Sequence, residues 1–306
     1  MSELRFRAMG SDVHLIVVGG SSGLIDEARR RIDQLETRWS RFRPDSEISS
    51  LNARPGVPVS VSDDTRLLVG RAIEAWRISG GGFDPLVLPD VLRAGYDRSY
   101  EQLPPRRDAI PTSIDRRRIA DAGCTDIEIT GDMVTLPPGT GFDPGGIGKG
   151  LTADLVVGQL MQAGAAGACV NMGGDVRVVG TAPGGGTWTI AIEHPHATRP
   201  VTLVGLGQGA VATSTVLRRT WTVGNVGRHH LIDPATGEPS TTDIGMATVI
   251  AGEAWEAEVY AKAVLLRGTT RAFDLLDAST QALIVSLDGR VTVTEGFATF
   301  TSPSTP

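Results

Sequence analysis

The chain has 306 residues, a formal net charge of −6 at pH 7 and a hydrophobic content of 41%. That length allows one or two domains with a large buried core, and the composition is typical of a globular protein. An acidic chain does not offer the concentrated basic surface that broad nucleic-acid binding needs, and no run is apolar and long enough to span a bilayer. We therefore expect neither nucleic acid nor membrane as a partner.

The arginine runs and the cysteines carry little functional signal. The runs at 29–31 and 116–118 each have acids close by, which is typical of solvated faces. Cys124 and Cys169 lack metal-ligand spacing and form no disulfide framework. Because the N-terminus also has no apolar run of signal-peptide length, the sequence predicts a cytoplasmic protein.

In chain order, hydrophobic periodicity first predicts a strand and then two helices. Alternating apolar residues over 13–17 indicate the strand. Apolar residues at helical spacing follow over 24–39, and the polar segment 40–52 is rich in turn residues. A second helix is predicted from a cap at the acidic pair 63–64 to the three glycines 80–82, which end it.

The rest of the chain intersperses strands and helices less regularly. Segment 97–118 is rich in proline and arginine and indicates a surface excursion. With no linker, no internal repeat and no strict βαβ alternation, the pattern indicates an α+β fold in a single domain over 1–306. The remaining predicted elements are a helix over 149–164, strands over 168–250, a helix with Glu258 and Lys262, and a hairpin over 283–293.

Only two of the 29 cationic residues are lysine, Lys149 and Lys262. Arginine is a poor substitute for a compact ammonium, so these two positions are candidates for a site that needs a point charge. Lys149 lies in the glycine-rich turn 142–150, which matches neither the Walker phosphate loop nor the dinucleotide fingerprint. The carboxylate of Asp143, a flexible backbone and an ammonium before a helix N-terminus nevertheless suit an anion such as phosphate.

Other polar residues are candidates that each have a plainer interpretation. Asp84 and Asp175 follow glycines, and either is equally explained as a turn residue. A histidine such as His230 can do acid–base work or hydrogen-bond a phosphate, although a lone histidine is more often structural. Glu258 and Lys262 are spaced i, i+4, which a simple helix salt bridge also explains.

Seven segments occur in one order along nearly the whole chain. They are AMGS (8–11), RFRPDSEI (41–48), GFDP (82–85), FDPGGIGKG (142–150), VNMGGD (170–175), ATS (212–214) and HLIDPATG (230–237). Together these segments resemble the ApbE family, the FAD:protein FMN transferases.

The resemblance implies a two-lobed α+β fold of mixed sheets flanked by helices, with FAD bound in a groove between the lobes. Family members transfer the FMN half of FAD onto a threonine of an acceptor protein and release AMP. Some hydrolyse FAD to FMN and AMP instead, and a catalytically silent FAD-binding protein is a third alternative. The sequence leaves these three functions open.

The resemblance also implies which residues form the site. His230 would lie near the reacting phosphate, and Asp143 and Lys149 around the ribose and pyrophosphate. The other implied FAD contacts are Met9, Phe42, Gly82, Phe83 and Asp84, toward the flavin or adenine, together with Asp175, Ser214 and Ile232.

One implied feature, the metal site, departs from the family pattern. The family usually binds Mg²⁺ through a backbone carbonyl of the glycine turn, here Gly146, and through a D-x-x-x-T helix motif. In that motif this chain has Glu258 and Lys262 at the two ligand positions. Glutamate can coordinate Mg²⁺, whereas a protonated lysine has no lone pair and repels the ion. We hypothesise that the Lys262 ammonium, held by Glu258, takes over part of the charge role of the metal, and predict catalytic roles for His230, Glu258 and Lys262.

Overall fold

Strands and helices follow the hydrophobic periodicity through residues 1–107 and 123–301, the part of the chain that this computed structural model describes. The arginine run 116–118 and the second half of the excursion predicted over 97–118 lie outside these residues. The α-helices are α1 (Leu24–Trp39), α2 (Glu47–Ala53), α3 (Asp63–Ile78), α4 (Leu88–Arg93), α5 (Gly148–Gln162) and α6 (Ala254–Leu266). The strands are β1 (Ser2–Ala8), β2 (Ser11–Val18), β3 (Val59–Ser60), β4 (Arg106–Arg107), β5 (Glu128–Thr130), β6 (Met133–Thr135), β7 (Gly167–Met172), β8 (Asp175–Gly180), β9 (Trp188–Ile192), β10 (Thr202–Leu206), β11 (Gly209–Thr215), β12 (Thr220–Val223), β13 (Val226–His229), β14 (Ile232–Asp233), β15 (Glu238–Pro239), β16 (Ile244–Ala251), β17 (Gln281–Ser286) and β18 (Val291–Val293).

These elements belong to two units, and their interspersed order confirms the α+β fold class. The first unit comprises Met1–Asp33, Lys149–Thr215 and Asp243–Pro306, and the second comprises Gln34–Gly148 and Val216–Thr242. The assignment of 1–306 to a single functional domain stays a prediction. No helix in the described residues is long and apolar enough to cross a membrane.

An antiparallel sheet of eight strands is the centre of the first unit, in the order β1-β2-β7-β8-β11-β16-β17-β18. Successive side chains of each strand face opposite sides, so the sheet contributes to two apolar layers. In one layer Leu15 and Val170 pack with Leu160 of α5. In the other layer Val178 packs with Trp188 of β9. The candidate residues of this unit lie on its strands and helices, except Met9, which lies in the turn between β1 and β2.

The second unit has smaller sheets, of order β13-β12-β4, β3-β6-β5 and β14-β15. β4 pairs with β12 in parallel and β13 pairs with β12 antiparallel, so that sheet is mixed. An apolar cluster that includes Val91, Leu103 and Trp221 packs against it. The indole nitrogen of Trp221 donates to the carbonyl oxygen of Ala94 at 2.9 Å, which ties β12 to the end of α4.

The structure confirms the predicted helices and the C-terminal hairpin, and it differs from the sequence analysis in three places. β1 precedes the strand predicted over 13–17, which is β2. Ser62, rather than the acidic pair 63–64, caps α3, because its hydroxyl accepts the N–H of Thr65. The segment 40–52, predicted to consist of turns, contains most of α2, which Ser46 caps in the same way.

The first turn of α5 lies against the start of α6 at Gly150. A Cβ atom at this position would lie 2.4 Å from the carbonyl oxygen of Ala254 and 2.7 Å from the Cα of Trp255. Because both atoms belong to the backbone of α6, a side chain at Gly150 would fit only if the two helices moved apart. Glycine is therefore a packing requirement at this position, in spite of its poor helix propensity.

We expect Gly150→Ala to lower the free energy of unfolding by about 1–3 kcal/mol, because the added methyl group overpacks the contact between α5 and α6. Gly158 lies in the same helix with open space where its Cβ would be, so Gly158→Ala is a matched control. It should be neutral or stabilising by up to about 1 kcal/mol, through helix propensity alone. Urea unfolding measures both variants, and equal stabilities for the two would contradict the packing argument.

Candidate active site

The predicted site residues divide between the two units. In each unit, a charged cluster brings together residues that lie far apart in the sequence. The first unit holds Met9, Lys149, Asp175, Ser214, Glu258 and Lys262. The second unit holds Phe42, Gly82, Phe83, Asp84, Asp143, Gly146, His230 and Ile232.

Lys149, Asp175 and Glu258 form the charged cluster of the first unit, which we call the acid–lysine cluster. Lys149 is the second residue of α5, Asp175 begins β8, and Glu258 lies in the second turn of α6. The Lys149 ammonium pairs with the Asp175 carboxylate and lies 3.1 Å from Oε1 of Glu258. One ammonium is thus shared by two carboxylates that come from different elements.

Both carboxylates of the acid–lysine cluster are buried. Asp175 is 2% exposed and Glu258 is 5% exposed. Burial raises the pKa of Asp175 to about 6, with Lys149 opposing the shift and the negative charge of Glu258 adding to it. The backbone N–H of Thr213 also donates to the Asp175 carboxylate. The cluster is therefore sensitive to any change in its count of positive charges.

Two amides at the start of α5 are bonded to acceptors within the protein. The Gly150 N–H donates to Oε2 of Glu258 at 2.8 Å. The Gly148 N–H donates to the carbonyl oxygen of Pro144 at 2.8 Å, as does the N–H of Ile147, just before the helix, at 3.1 Å. The Glu258 carboxylate thus lies at the helix end where the sequence predicts an anion, and the binding of an external anion there stays a prediction.

Asp154 and Arg177 support the acid–lysine cluster, and neither was among the predicted site residues. The Asp154 carboxylate accepts the N–H groups of Ala254 and Trp255, each at 2.9 Å, and so caps the start of α6. Arg177 Nε lies 2.9 Å from the same carboxylate. Burial raises the pKa of Asp154 to about 6 in spite of these donors. The sequence signal for Arg177 is a charge between two apolar residues, Val176 and Val178, of a predicted strand.

Met9 lies in an uncommon backbone conformation. Met9 and Gly10 form the two-residue turn between β1 and β2, with φ values of +50° and +62°. A hairpin turn with positive φ at both positions favours Asn-Gly, and an apolar side chain at the first position is unfavourable. The hydroxyl of Thr152 donates to the Met9 sulfur at 3.5 Å. The turn geometry therefore does not favour methionine at this position, whereas its side chain makes a contact with α5.

Lys262 lies on α6, which carries Glu258, and Ser214 lies on β11, which pairs with the β8 strand of Asp175. Ser214 is half-buried on β11, next to Thr213, whose hydroxyl hydrogen-bonds that of Thr248 at 2.8 Å. Lys262 is half-buried on α6, one turn after Glu258 and therefore on the same side of the helix. The hypothesis that Glu258 holds Lys262 stays a prediction, since the Glu258 contacts given above are with Lys149 and Gly150.

Arg41, Phe42, Tyr96 and Asp143 form the charged cluster of the second unit, which we call the arginine–aromatic cluster. The Arg41 guanidinium lies 4.2 Å from the centre of the Phe42 ring and 4.9 Å from that of Tyr96. Its Nε lies 3.5 Å from Oδ1 of Asp143. The Arg41 side chain is 7% exposed, whereas Phe42 is 40% exposed. A buried cation thus backs an accessible aromatic ring, which can stack on a planar ligand.

The segment around Gly82 packs beside the glycine-rich turn within the second unit. The Asp143 N–H donates to the carbonyl oxygen of Pro85 at 2.8 Å. Phe83 is 1% exposed, and the Asp84 carboxylate accepts the N–H of Leu86 at 2.8 Å. Phe83 and Asp84 therefore have structural roles here in addition to the FAD contacts that the resemblance implies. Gly146 lies in the turn between Asp143 and α5.

The structure distinguishes two histidines that are adjacent in the sequence. His229 Nδ1 accepts the N–H of Leu231 at 3.2 Å, and Nε2 lies 2.9 Å from the carbonyl oxygen of Ser240. Burial lowers the pKa of His229, so the ring is neutral and fixed in one tautomer. Nδ1 of His230 is also buried, and Ile232 is buried next along the chain. His229 is structural, which leaves His230 as the candidate for acid–base work in this pair.

The side chains around Glu258 do not make a complete Mg²⁺ site. Mg²⁺ requires near-octahedral coordination by oxygen atoms at about 2.0–2.1 Å. Oε2 of Glu258 accepts the Gly150 amide, whereas the buried Oε1 accepts no hydrogen bond from the described part of the chain and lies 3.1 Å from the Lys149 ammonium. Lys262 has no lone pair while it is protonated. Over residues 1–107 and 123–301, no group of three or more His, Cys, Asp or Glu side chains could hold a metal ion.

Comparisons with known proteins agree with the resemblance in sequence motifs. The FAD:protein FMN transferase of Treponema pallidum is 28% identical over 287 residues, which cover 89% of this chain and 79% of that protein. The one from Vibrio cholerae is 27% identical, over 94% of this chain and 85% of that protein.

Solved structures match over almost the full length. The ApbE protein of Thermotoga maritima has a TM-score of 0.87 and 25% identity, and the match covers 99% of both chains. The flavin transferase ApbE from Vibrio cholerae has a TM-score of 0.81 and 26% identity over 98% of both chains. A model of the ApbE family matches residues 9–285. This chain belongs to the ApbE family.

Proposed function

We propose that this chain is an FAD:protein FMN transferase, which moves the FMN moiety of FAD onto a threonine of an acceptor protein and releases AMP. The observation that carries the proposal is the acid–lysine cluster, in which a compact ammonium is fixed at the start of a helix. Relatives from Treponema pallidum and Vibrio cholerae that bear this name align with most of the chain.

The chemistry is a displacement at phosphorus. The threonine Oγ forms a bond to the phosphorus of the FMN half, the bond from that phosphorus to the AMP oxygen breaks, and the hydroxyl proton is lost. Positioning and charge stabilisation dominate such reactions. We assign the Lys149 ammonium to the pyrophosphate, where negative charge develops on the departing AMP. Asp175 and Glu258 fix the position of that ammonium.

The other FAD contacts are proposed from the family pattern together with the local geometry. Met9 and Phe42 would contact the flavin or adenine, because one has an unfavourable backbone and the other an accessible ring. Gly82, Phe83 and Asp84 would contribute to the same part of FAD, chiefly through the backbone, since the Phe83 ring is buried. The remaining contacts in this proposal are Asp143 at the ribose, His230 at the reacting phosphate, and Asp175, Ser214 and Ile232.

The protein would work in the cytoplasm, since Cys124 and Cys169 are both buried free thiols, which suits a reducing compartment. Mg²⁺ ligation by the Gly146 carbonyl and Glu258, which the family pattern implies, is the alternative to a charge role for Lys262, and activity in the presence of a chelator distinguishes the two.

Incubation with FAD distinguishes this function from its two alternatives. We expect the chain to release AMP and to form a flavin–protein bond only when a threonine-containing acceptor is present. Chromatography of the nucleotides and in-gel flavin fluorescence of the acceptor measure the two products. AMP and FMN released without an acceptor would instead identify an FAD pyrophosphatase. FAD that binds and stays intact in every mixture would identify a silent FAD-binding protein.

His230→Ala should reduce the rate of FMN transfer by about 100-fold or more, because acid–base or positioning groups at a reacting phosphate contribute on that scale. His229→Ala is the matched control at the adjacent residue. It should lower the free energy of unfolding by about 1–3 kcal/mol, because buried hydrogen-bonding groups lose their partner. Steady-state rates and thermal unfolding of both variants test the distinction. Full activity in His230→Ala would contradict it.

Met9→Asn should weaken FAD binding by about tenfold without lowering the free energy of unfolding by more than about 1 kcal/mol, because asparagine tolerates the positive φ of the turn. Met9→Leu keeps an apolar side chain and serves as the control, with FAD affinity close to that of the wild type. Quenching of flavin fluorescence gives the dissociation constants. If Met9→Asn bound FAD as tightly as the wild type, the side chain would have no part in binding.

A further inference from the structure

The Lys149 ammonium opposes the binding of a metal ion at the acid–lysine cluster. Oε2 of Glu258 accepts the Gly150 amide at 2.8 Å, whereas the buried Oε1 accepts no hydrogen bond within residues 1–107 and 123–301 and lies 3.1 Å from the Lys149 ammonium. The Asp175 carboxylate pairs with the same ammonium. A divalent cation at Oε1 would therefore lie beside a positive charge that repels it, and a cation at Oε2 would also have to displace the Gly150 amide.

The second lysine of the chain is placed beside this cluster. Lys262 follows Glu258 by one turn of α6, and residues at that spacing have Cβ atoms about 5–6 Å apart. The other 27 of the 29 cationic residues are arginine. Of the two lysines, Lys149 belongs to the acid–lysine cluster and Lys262 lies one helical turn from it. An ammonium is a compact point charge with three donors, which arginine does not reproduce.

The net charge of the acid–lysine cluster depends on the residue at position 262. Asp175 and Glu258 contribute two negative charges, and Lys149 supplies one positive charge within contact distance. A neutral residue at position 262 would leave this group of residues with a net negative charge, which opposes the binding of a pyrophosphate. Lys262 makes the positive and negative charges equal without a metal ion.

We propose that the Lys149 and Lys262 ammonium groups supply the positive charge that FAD cleavage requires, and that FMN transfer by this chain is independent of Mg²⁺. The inference rests on the proposed function and deepens it by specifying the cation at the same site. As the bond between phosphorus and the AMP oxygen breaks, the charge that develops on the pyrophosphate oxygens is met by ammonium donors of the protein.

The first experiment compares the wild-type chain, FAD and a threonine-containing acceptor in EDTA and in millimolar Mg²⁺. We expect transfer rates in the two mixtures to agree within about twofold, and FAD dissociation constants to agree as closely. A rate that falls tenfold or more in EDTA and returns with Mg²⁺ would overturn the proposal. FAD binding that tightens more than about fivefold in Mg²⁺ would overturn it as well.

The AMP measurement tests the transferase function, and the FAD affinities test independence of Mg²⁺. If no AMP forms in any mixture, the proposed transferase function fails, while the comparison of FAD affinities still tests metal independence. Titration of the chain with Mn²⁺, followed by electron paramagnetic resonance, adds a readout that needs neither FAD nor activity. We expect no binding at micromolar Mn²⁺, and a stoichiometric site that requires Glu258 would contradict the inference.

The second experiment restores the residue that the family motif has at position 262. Lys262→Thr should lose about tenfold or more of the transfer rate in EDTA and regain part of it with Mg²⁺, because a hydroxyl replaces the ammonium. Lys262→Met is the matched control, since it removes the charge without adding a ligand. It should lose the same rate and regain none. Thermal unfolding verifies that both variants fold, and full activity of Lys262→Met in EDTA would exclude a charge role for Lys262.

Discussion

The close contact between α5 and α6 at Gly150 is the constraint on which the acid–lysine cluster depends. Because no side chain fits between Gly150 and the carbonyl of Ala254, the helices lie close enough for Glu258 to accept the Gly150 amide and to meet Lys149. Asp154 fixes the same contact one turn later in α5 by accepting the first amides of α6. A packing requirement thereby brings a carboxylate of one helix to an ammonium of the other.

The acids of this region each lie next to more than one donor or cation. Glu258 accepts an amide through Oε2 and has an ammonium 3.1 Å from Oε1, which accepts no hydrogen bond from any residue described, whereas Asp154 has two amides and the Arg177 guanidinium. An uncompensated buried carboxylate costs several kcal/mol. The loss of one donor would therefore destabilise every acid that shares it. The residues of the acid–lysine cluster should therefore respond to mutation as a unit rather than additively.

Local periodicity predicted the helices and turns that carry the site residues. It did not predict the contacts between them, because these join residues that are far apart in the sequence. The helix with Glu258 and the glycine-rich turn before α5 were both predicted, because each has a clear repeat or turn signature. The i, i+4 spacing predicted Lys262 as the partner of Glu258, which stays a prediction, and it did not indicate the contact of Glu258 with Lys149, from another helix. No local signal could have indicated Asp154 as the cap of α6, because the helix that it caps begins far along the chain.

The adjacent residues His229 and His230 also show that local sequence does not reveal tertiary contacts. In the sequence, His229 and His230 have equal claims to acid–base chemistry. They differ because the chain brings the Ser240 carbonyl to His229, where a neutral ring donates to it, and this contact depends on the pairing of β14 with β15. The sequence therefore indicates that a histidine could act as an acid or base here. The tertiary contacts decide which of the two histidines is available for that role.

Glu258 and Lys262 are the two departures from the D-x-x-x-T motif of the family. The first lengthens the acidic side chain, and the second adds a positive charge. A glutamate carries its carboxylate one methylene farther from the helix than an aspartate, and here that carboxylate spans from α6 to the Gly150 amide and the Lys149 ammonium of α5. An acid held by those donors has less capacity left for a metal ion. The replacement of threonine by Lys262 then adds a positive charge on the same side of α6, where a metal ion would otherwise have supplied it. Each substitution alone would weaken a metal site, whereas together they preserve the charge balance that a pyrophosphate requires.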